Sequence, residues 1–264
     1  MKNPRPPWLL FLSEFIGTAI LVLVGLSIVI CMFGTGSPAA SWIPNEGTRR
    51  LITGFLFGST GALIAISPIG KESGAHINPI VTLAFWLMGK IHARVAMGYV
   101  LAQLTGAVLG AWPLLAWGPM GRSVAFGSAL PGTGYHIATV FWGEVITTFA
   151  MVSLLFTFLG SRRLRPYTPA IFPILYCIMV FVEAPISGTS TNPARSLGPA
   201  VISGQWPEWW IYCAGPLTGT IAATIICSFL AKRITVAKLY RFDSDRHGLF
   251  RQMGSPTAPS KKPE

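Results

Sequence analysis

Apolar residues along this chain fall in long, unbroken runs. Six of them stand out, at 8–33, 51–69, 94–118, 137–159, 170–186 and 209–231. Each is close to the roughly 20 residues that an α-helix needs to cross a hydrocarbon core of about 30 Å. None alternates with period two, and an open sheet edge is not tolerated in lipid, so the pattern predicts six membrane-spanning helices. The first run follows Lys2 and Arg5 as a secretory signal would, but it is far longer than a signal core and reads as a retained helix. Two shorter stretches break the pattern: "SGAHINPIVTLAFWL" at 73–87 and "SGTSTNPARSLGPAVI" at 187–202. Each is a polar approach, an Asn-Pro pair and a brief apolar run.

The chain repeats itself beyond those two stretches. "SEFIGTAILVLVG" (13–25) matches "GEVITTFAMVSLLF" (143–156) in placing one glutamate, Glu14 or Glu144, near the start of a span. "YVLAQLTGAVLGA" (99–111) matches "YCAGPLTGTIAAT" (212–224) in its Tyr, its Leu-Thr-Gly and the spacing between them. The predicted organisation is a first repeat at 1–118, an extracytoplasmic linker at 119–136, a second repeat at 137–232 and a basic cytoplasmic tail at 233–264. Three spans is an odd number, so the second copy must insert upside down relative to the first. Inverted repeats are an architecture of transporters and channels.

Asn is a strong N-cap, and Pro is favoured at the first helical position because its missing N–H costs nothing there. Residues 78–89 and 192–203 therefore read as helices of about twelve residues, or ~18 Å at 1.5 Å per residue, half a membrane. Asn3-Pro4 shows that the dipeptide alone means little; twofold repetition and the Gly-containing approach give it weight. With the halves inverted, the two Asn-capped ends meet near the bilayer centre, each carrying roughly +0.5 charge from unsatisfied N–H groups. Each Asn side-chain oxygen caps its own helix, leaving the NH₂ to donate toward a lumen. Approach-loop carbonyls supply the acceptors, since irregular backbone at that depth must line water or lie buried in protein.

Composition and charge narrow the class. Hydrophobic residues make up 52% of the chain and charged ones 11%, against about 25% charged in a soluble domain. A net charge of +11 would suggest nucleic acid in a soluble protein, but its placement argues otherwise. Lys2, Arg5, Lys71, Lys90, Arg94, Arg162, Arg163, Arg165, Lys232, Arg233 and the tail fall on one side if the spans alternate, against Arg49, Arg50 and Arg122 on the other. That asymmetry predicts a multi-pass protein of a cell or inner membrane with both termini cytoplasmic, its partner the lipid bilayer and not nucleic acid. Cys31, Cys177, Cys213 and Cys227 lack metal-ligand spacing and read as small buried hydrophobes, with no metal or cofactor implied. An intramembrane enzyme would need an Asp pair, a Ser/His dyad or a His cluster, but Asp occurs only at 243 and 245, and the histidines (76, 92, 136, 247) do not share a helix.

The paired motifs, "SGAHINPIVT" and "TNPARS", resemble those of the aquaporins, or major intrinsic proteins, with their two Asn-Pro-Ala boxes, and the likeness covers about 8–232. It implies an all-α membrane protein of six tilted helices and two re-entrant half-helices, with a pore in each protomer of a homotetramer. Asn78, Pro79 and Ile80 match the first box, with Ile80 in place of the usual Ala; Asn192, Pro193 and Ala194 match the second. The likeness implies that Arg195 belongs to a selectivity filter, that His76 lies at the cytoplasmic mouth and that Glu14 and Glu144 brace the re-entrant loops. Counting back along the family's ungapped pattern puts Val180 and Gly58 in the filter with Thr189 and Arg195, where water-selective members usually carry His and Phe at the first two positions. A slip of one residue would substitute Phe57 for Gly58 and narrow the neck again. Ser196 stands where glycerol channels usually have Asp, Tyr212 retains an expected aromatic, and Cys213 replaces its usual Trp neighbour.

Arg195 can also be argued on its own terms. A bare cation is costly in hydrocarbon, so it must face water or pair with an acid such as Glu144 or Glu183. The sequence predicts a passive channel for water and small uncharged solutes that excludes protons and ions, with a filter wider than that of strict water channels. The alternatives are a glycerol- or metalloid-type facilitator with little water role, or a secondary transporter. The last would add ionisable residues at the midplane for ion coupling.

Overall fold

The computed structural model describes residues 8–234 and Lys238. Lys2, Arg5 and most of the predicted tail lie outside the described residues. Eight principal helices follow in order: α1 (Trp8–Phe33), α2 (Glu46–Ile66), α3 (Pro79–Leu87), α4 (Ala93–Ala111), α5 (Ile137–Gly160), α6 (Thr168–Ser187), α7 (Pro193–Ser203) and α8 (Ile211–Ile226). There is no strand among the described residues.

The spans differ from the hydropathy runs where local chemistry intervenes. Helix α2 begins five residues before its apolar run, because the Asn45 side chain accepts the Thr48 N–H at 2.8 Å and caps it. The third run divides at Ala111, after which Trp112–Trp117 is a 3₁₀ helix with Pro in its first turn. The sixth run also divides: α8 covers 16 residues, and Ser228–Arg233 continues it as a 3₁₀ helix. At 1.5 and 2.0 Å per residue the two pieces still reach about 36 Å. Five other helical segments are long and apolar enough to cross a bilayer by themselves. Large apolar side chains such as Leu63, Leu101, Ile146, Ile174 and Ile225 stand exposed on the outer helix faces, as in an integral membrane protein whose solvent there is lipid.

Helix α1 packs on α4, α5 packs in the equivalent way on α8, and α2 against α6 joins the halves. Small residues set these distances. A Cβ on Gly106 or Gly110 of α4 would sit 2.3 Å from the carbonyl oxygens of Phe15 and Ala19 in α1. Gly54 and Gly58 of α2 are as close to α6: a Cβ there would lie 2.2 Å from Tyr176 O and 2.4 Å from Phe172 O. Between lipid-solvated helices, such close backbone approach is the main source of packing energy.

The two Asn-Pro segments form the predicted short helices. Helix α3 has 9 residues and α7 has 11, about 14 and 17 Å, so neither spans a membrane alone. Helix α7 stops at Gly204, in the left-handed region (φ 70°), which glycine occupies without a Cβ penalty.

A candidate pore built on two re-entrant loops

Two buried carboxylates organise the loops that lead into α3 and α7. Glu14 Oε1 accepts the Ser73 hydroxyl (2.6 Å) and the His76 N–H (2.9 Å), while Oε2 accepts the Ile77 N–H (2.7 Å) and the Gln103 amide (2.7 Å). Glu144 repeats this on the other loop. Its Oε1 accepts the Ser187 hydroxyl (2.5 Å) and the Ser190 N–H (2.7 Å), and its Oε2 the Thr191 N–H (2.8 Å). The tyrosines of the repeat complete the match: Tyr99 donates to Ser73 O at 2.7 Å and Tyr212 to Ser187 O at 3.0 Å. A buried acid is costly unless hydrogen-bonded, and a loop buried without donor partners is costly too; each network meets both requirements.

The backbone in these loops is unusual in the same places twice. Ala75 and Ile77 in the first, and Thr189 and Thr191 in the second, take φ between 41° and 52°. Non-glycine residues rarely occupy that region, and it is held only where the surroundings over-determine it. Here the carboxylates hold the N–H groups of the strained stretch.

The loop ends meet. Asn78 Oδ1 accepts the Ile80 N–H at 2.8 Å, and Asn192 Oδ1 accepts the N–H groups of Ala194 (3.0 Å) and Arg195 (3.3 Å), so each caps its own helix. The amide nitrogens then cross over: Asn78 Nδ2 donates to Thr191 O at 2.9 Å, and Asn192 Nδ2 donates to Ile77 O at 3.0 Å. The sequence predicts both amide hydrogens of each Asn free for a lumen. One of the two instead ties the tips together, because the strained backbone turns the Ile77 and Thr191 carbonyls toward the opposite loop.

Two cavities flank this junction. The outer one, about 210 Å³, is lined by Val180, Thr189, Arg195 and Phe57, with Gly127 and Ser128 from the segment between the repeats. The inner one, about 40 Å³, is lined by both Asn residues with His76, Ile77, Val81 and Gly58. Arg195 is 5% exposed, and its Cζ lies 6.0 Å from the Phe57 ring centroid. It makes no ion pair with Glu144 or Glu183. The pairing alternative for Arg195 therefore does not hold.

One further placement departs from the sequence reading. Gly58 does not line the outer cavity. It faces the Phe172 backbone of α6, and Phe57 takes the expected position beside Val180, Thr189 and Arg195. His76 (1% exposed) stands on the wall of the inner cavity: Nδ1 is 3.1 Å from Thr82 Oγ1, and the ring stacks on Phe85 at 4.7 Å and meets Tyr99 edge-on. Pro79 and Pro193 sit in the first turns of their helices, and Ile80 and Ala194 are buried beside them. Gln103, which also donates to Thr82 Oγ1 at 2.9 Å, and Tyr176, which lines both cavities, are absent from the sequence-based site. The Tyr and Leu-Thr-Gly of the repeat signal the Tyr99 and Tyr212 braces; nothing local marks Gln103 or Tyr176.

The family model described as "Major intrinsic protein" matches residues 5–227. The lens fiber major intrinsic protein of Gallus gallus is 28% identical over 97% of this chain and 92% of its own length. An aquaporin PIP-type protein of Atriplex canescens is 30% identical over 90% of this chain and 86% of its own. The X-ray structure of the aquaglyceroporin from Plasmodium falciparum superposes with a TM-score of 0.66 at 19% identity, covering 86% of this chain and 96% of that one; it bears on the fold alone.

Proposed function

From the membership of this chain in the major intrinsic protein family, a family of membrane channels, we propose that it is a passive conduit for water and small uncharged solutes that holds back protons and ions. The observation that carries this reading is the meeting of two helix N-termini at Asn78 and Asn192, each amide keeping one N–H beyond the bond that ties the tips. Two positive helix ends facing one point oppose a cation there. A water at that point accepts from both amides, so its own hydrogens point away and its oxygen has no lone pair left to relay a proton. Arg195, buried and unpaired in the outer cavity, repels cations before they reach the junction and donates to neutral solutes. Phe57, Val180 and Thr189 form the remainder of the outer neck. Glu14 and Glu144 are structural braces, and His76, on the wall of the inner cavity, lies on the cytoplasmic side of the junction.

In this reading both termini face the cytoplasm, and the exposed apolar helix faces include the surface on which protomers assemble as a homotetramer. A second reading, a facilitator for glycerol-class solutes, draws support from the small side chains Val180 and Thr189 at the wall of the 210 Å³ outer cavity.

Proteoliposomes test the proposal. Osmotic shrinkage should be much faster than in protein-free vesicles, while a pH-sensitive dye inside reports an unchanged proton leak. A proton flux comparable to the water flux would refute it, and uptake that concentrates a solute against its gradient would favour a coupled transporter.

A further inference from the structure

A separate cavity of about 950 Å³ lies at the end of α6 opposite the Arg195 loop, where α5 gives way to α6 and α8 to its 3₁₀ continuation. Its wall carries Arg162, Arg163 and Arg165 from the α5–α6 connection, and Lys232 and Arg233 from the 3₁₀ segment; no acidic residue lines it. We propose that this cavity binds the phosphate-bearing headgroup of an anionic phospholipid in the adjoining leaflet. Under the orientation proposed above that leaflet is the cytoplasmic one, whose anionic lipids attract basic segments. The site goes beyond the channel reading and does not depend on what the pore conducts.

Fixed contacts hold the two walls together. Arg165 is buried, and it donates from Nε to Leu159 O at 2.7 Å and from Nη2 to Arg233 O at 2.8 Å. One guanidinium thus joins segments 68 residues apart. Its own carbonyl accepts the hydroxyl of the buried Thr168 at 2.8 Å. Gly160 leaves room for Leu230, whose side chain would lie 3.1 Å from a Cβ there, so the end of α5 seats against the 3₁₀ segment. Carbonyls at a helix C-terminus carry partial negative charge that offsets nearby cations. Here Arg165 takes up Leu159 O in the last turn of α5 and Arg233 O at the end of the 3₁₀ segment. Arg162, Arg163, Lys232 and Arg233 stand exposed around it, four positive charges with no carboxylate on their shared wall.

Like charges held this close repel, and an anion between them relieves the repulsion. Three of the four exposed cations are arginines, whose planar forks match phosphate oxygens in pairs. What borders the cavity favours a lipid over a soluble anion. Leu164 and Tyr167 in the α5–α6 connection and Phe229 in the 3₁₀ segment expose apolar surface on the same two segments as the cations, Tyr167 at 63% and Phe229 at 68%. An exposed tyrosine at this level suits the membrane–water interface. Headgroup and acyl chains therefore both meet matching surface, whereas free phosphate meets the cations alone. Orientation in the membrane needs only an excess of cations on one face. It does not require a buried arginine that ties two distant segments into one basic wall.

The test uses the full chain in neutral detergent, with binding read from the rise in melting temperature as ligand is titrated. The probes are dioctanoyl phosphatidylglycerol, dioctanoyl phosphatidylcholine and inorganic phosphate. Phosphatidylglycerol should stabilise saturably, and the other two should not do so at the same concentrations. Arg163→Gln/Arg233→Gln leaves the Arg233 carbonyl, and so the Arg165 clamp, in place. It should weaken phosphatidylglycerol binding about thirtyfold, roughly fivefold for each cation removed. Arg162→Gln/Lys232→Gln should weaken it comparably, an independent pair from the same wall. Lys71→Gln/Arg94→Gln removes the same charge from the same face outside the cavity, and should change binding by less than about threefold. Equal weakening by all three double variants would reduce the effect to a diffuse positive surface and overturn the site. Stabilisation by inorganic phosphate as strong as by the lipid would overturn the lipid as its ligand. No stabilisation by phosphatidylglycerol would overturn both, and leave the channel reading standing.

Discussion

The two re-entrant loops have one scaffold and different linings. In each, a buried glutamate from the preceding span holds a Ser hydroxyl and two backbone N–H groups, a tyrosine anchors the Ser carbonyl, and an Asn caps the half-helix. The positions around that scaffold are not repeated. His76 in the first loop stands opposite Ser190 in the second, Ala75 opposite Thr189, and Val81 opposite Arg195. The first loop packs its histidine against Phe85 and Tyr99 on the wall of the inner cavity. The second opens onto the outer cavity and places its cation there. Residues that hold backbone are thus duplicated, and several of those that line the two cavities have diverged, so two copies of one fold present distinct ends.

The largest expected effect tests the shared scaffold. Glu14→Ala and Glu144→Ala each strip the acceptor from at least three buried donors, at about 1–3 kcal/mol for each orphaned group. Against the ~5–15 kcal/mol by which domains are usually stable, both variants should lose the folded state, read as a collapsed melting temperature and aggregation in detergent. A mild effect from one and a severe effect from the other would break the equivalence of the loops.

Arg195→Val comes next, since it writes the first loop's residue, Val81, into the second. The scaffold should survive and water flux should persist, while cation or proton leak rises at least about tenfold as the fixed positive charge is lost. An unchanged leak would leave exclusion to the Asn junction alone. Gly58→Ala probes packing: with Phe172 O in the way of the new methyl, it should cost about 1–3 kcal/mol. Gly61→Ala, whose nearest neighbour would be 3.9 Å away, should move stability by less than about 0.5 kcal/mol. A Gly58→Ala protein of normal melting temperature but altered solute flux would return Gly58 to the filter. The smallest effect is expected from Val180→His, which should lower solute flux relative to water by about two- to threefold, because the imidazole narrows the outer neck.

Much of this is legible in the chain. Spans announce themselves as apolar runs because lipid imposes that composition along their whole length. The half-helices are visible because Asn-Pro is a capping signal with a mechanism, and twofold repetition separates it from Asn3-Pro4. The proposed filter position is less legible. Counting back from Asn78 assumes a fixed spacing, and the short helix Pro68–Ser73 lies within the counted stretch, so the count lands on Gly58. The "GFLFG" of 54–58 carries the missing signal: two glycines four apart mark the face of α2 that touches α6, and Phe57 then turns toward the cavities. Tyr176 has no local signal at all. In the sequence it is one aromatic within an apolar run, and its partners Phe57, Thr191 and Met151 come from three other segments brought together only by folding.

The central claim is that two oppositely directed half-helices meet through their asparagines and leave one amide hydrogen each for a water between them. An experimental structure in lipid, at a resolution that shows ordered water, tests it most directly. The account predicts Asn78 Nδ2 on Thr191 O and Asn192 Nδ2 on Ile77 O, with a single water oxygen within about 3 Å of both amide nitrogens. Loop tips drawn apart, or a dry junction with no water in reach of either asparagine, would contradict it.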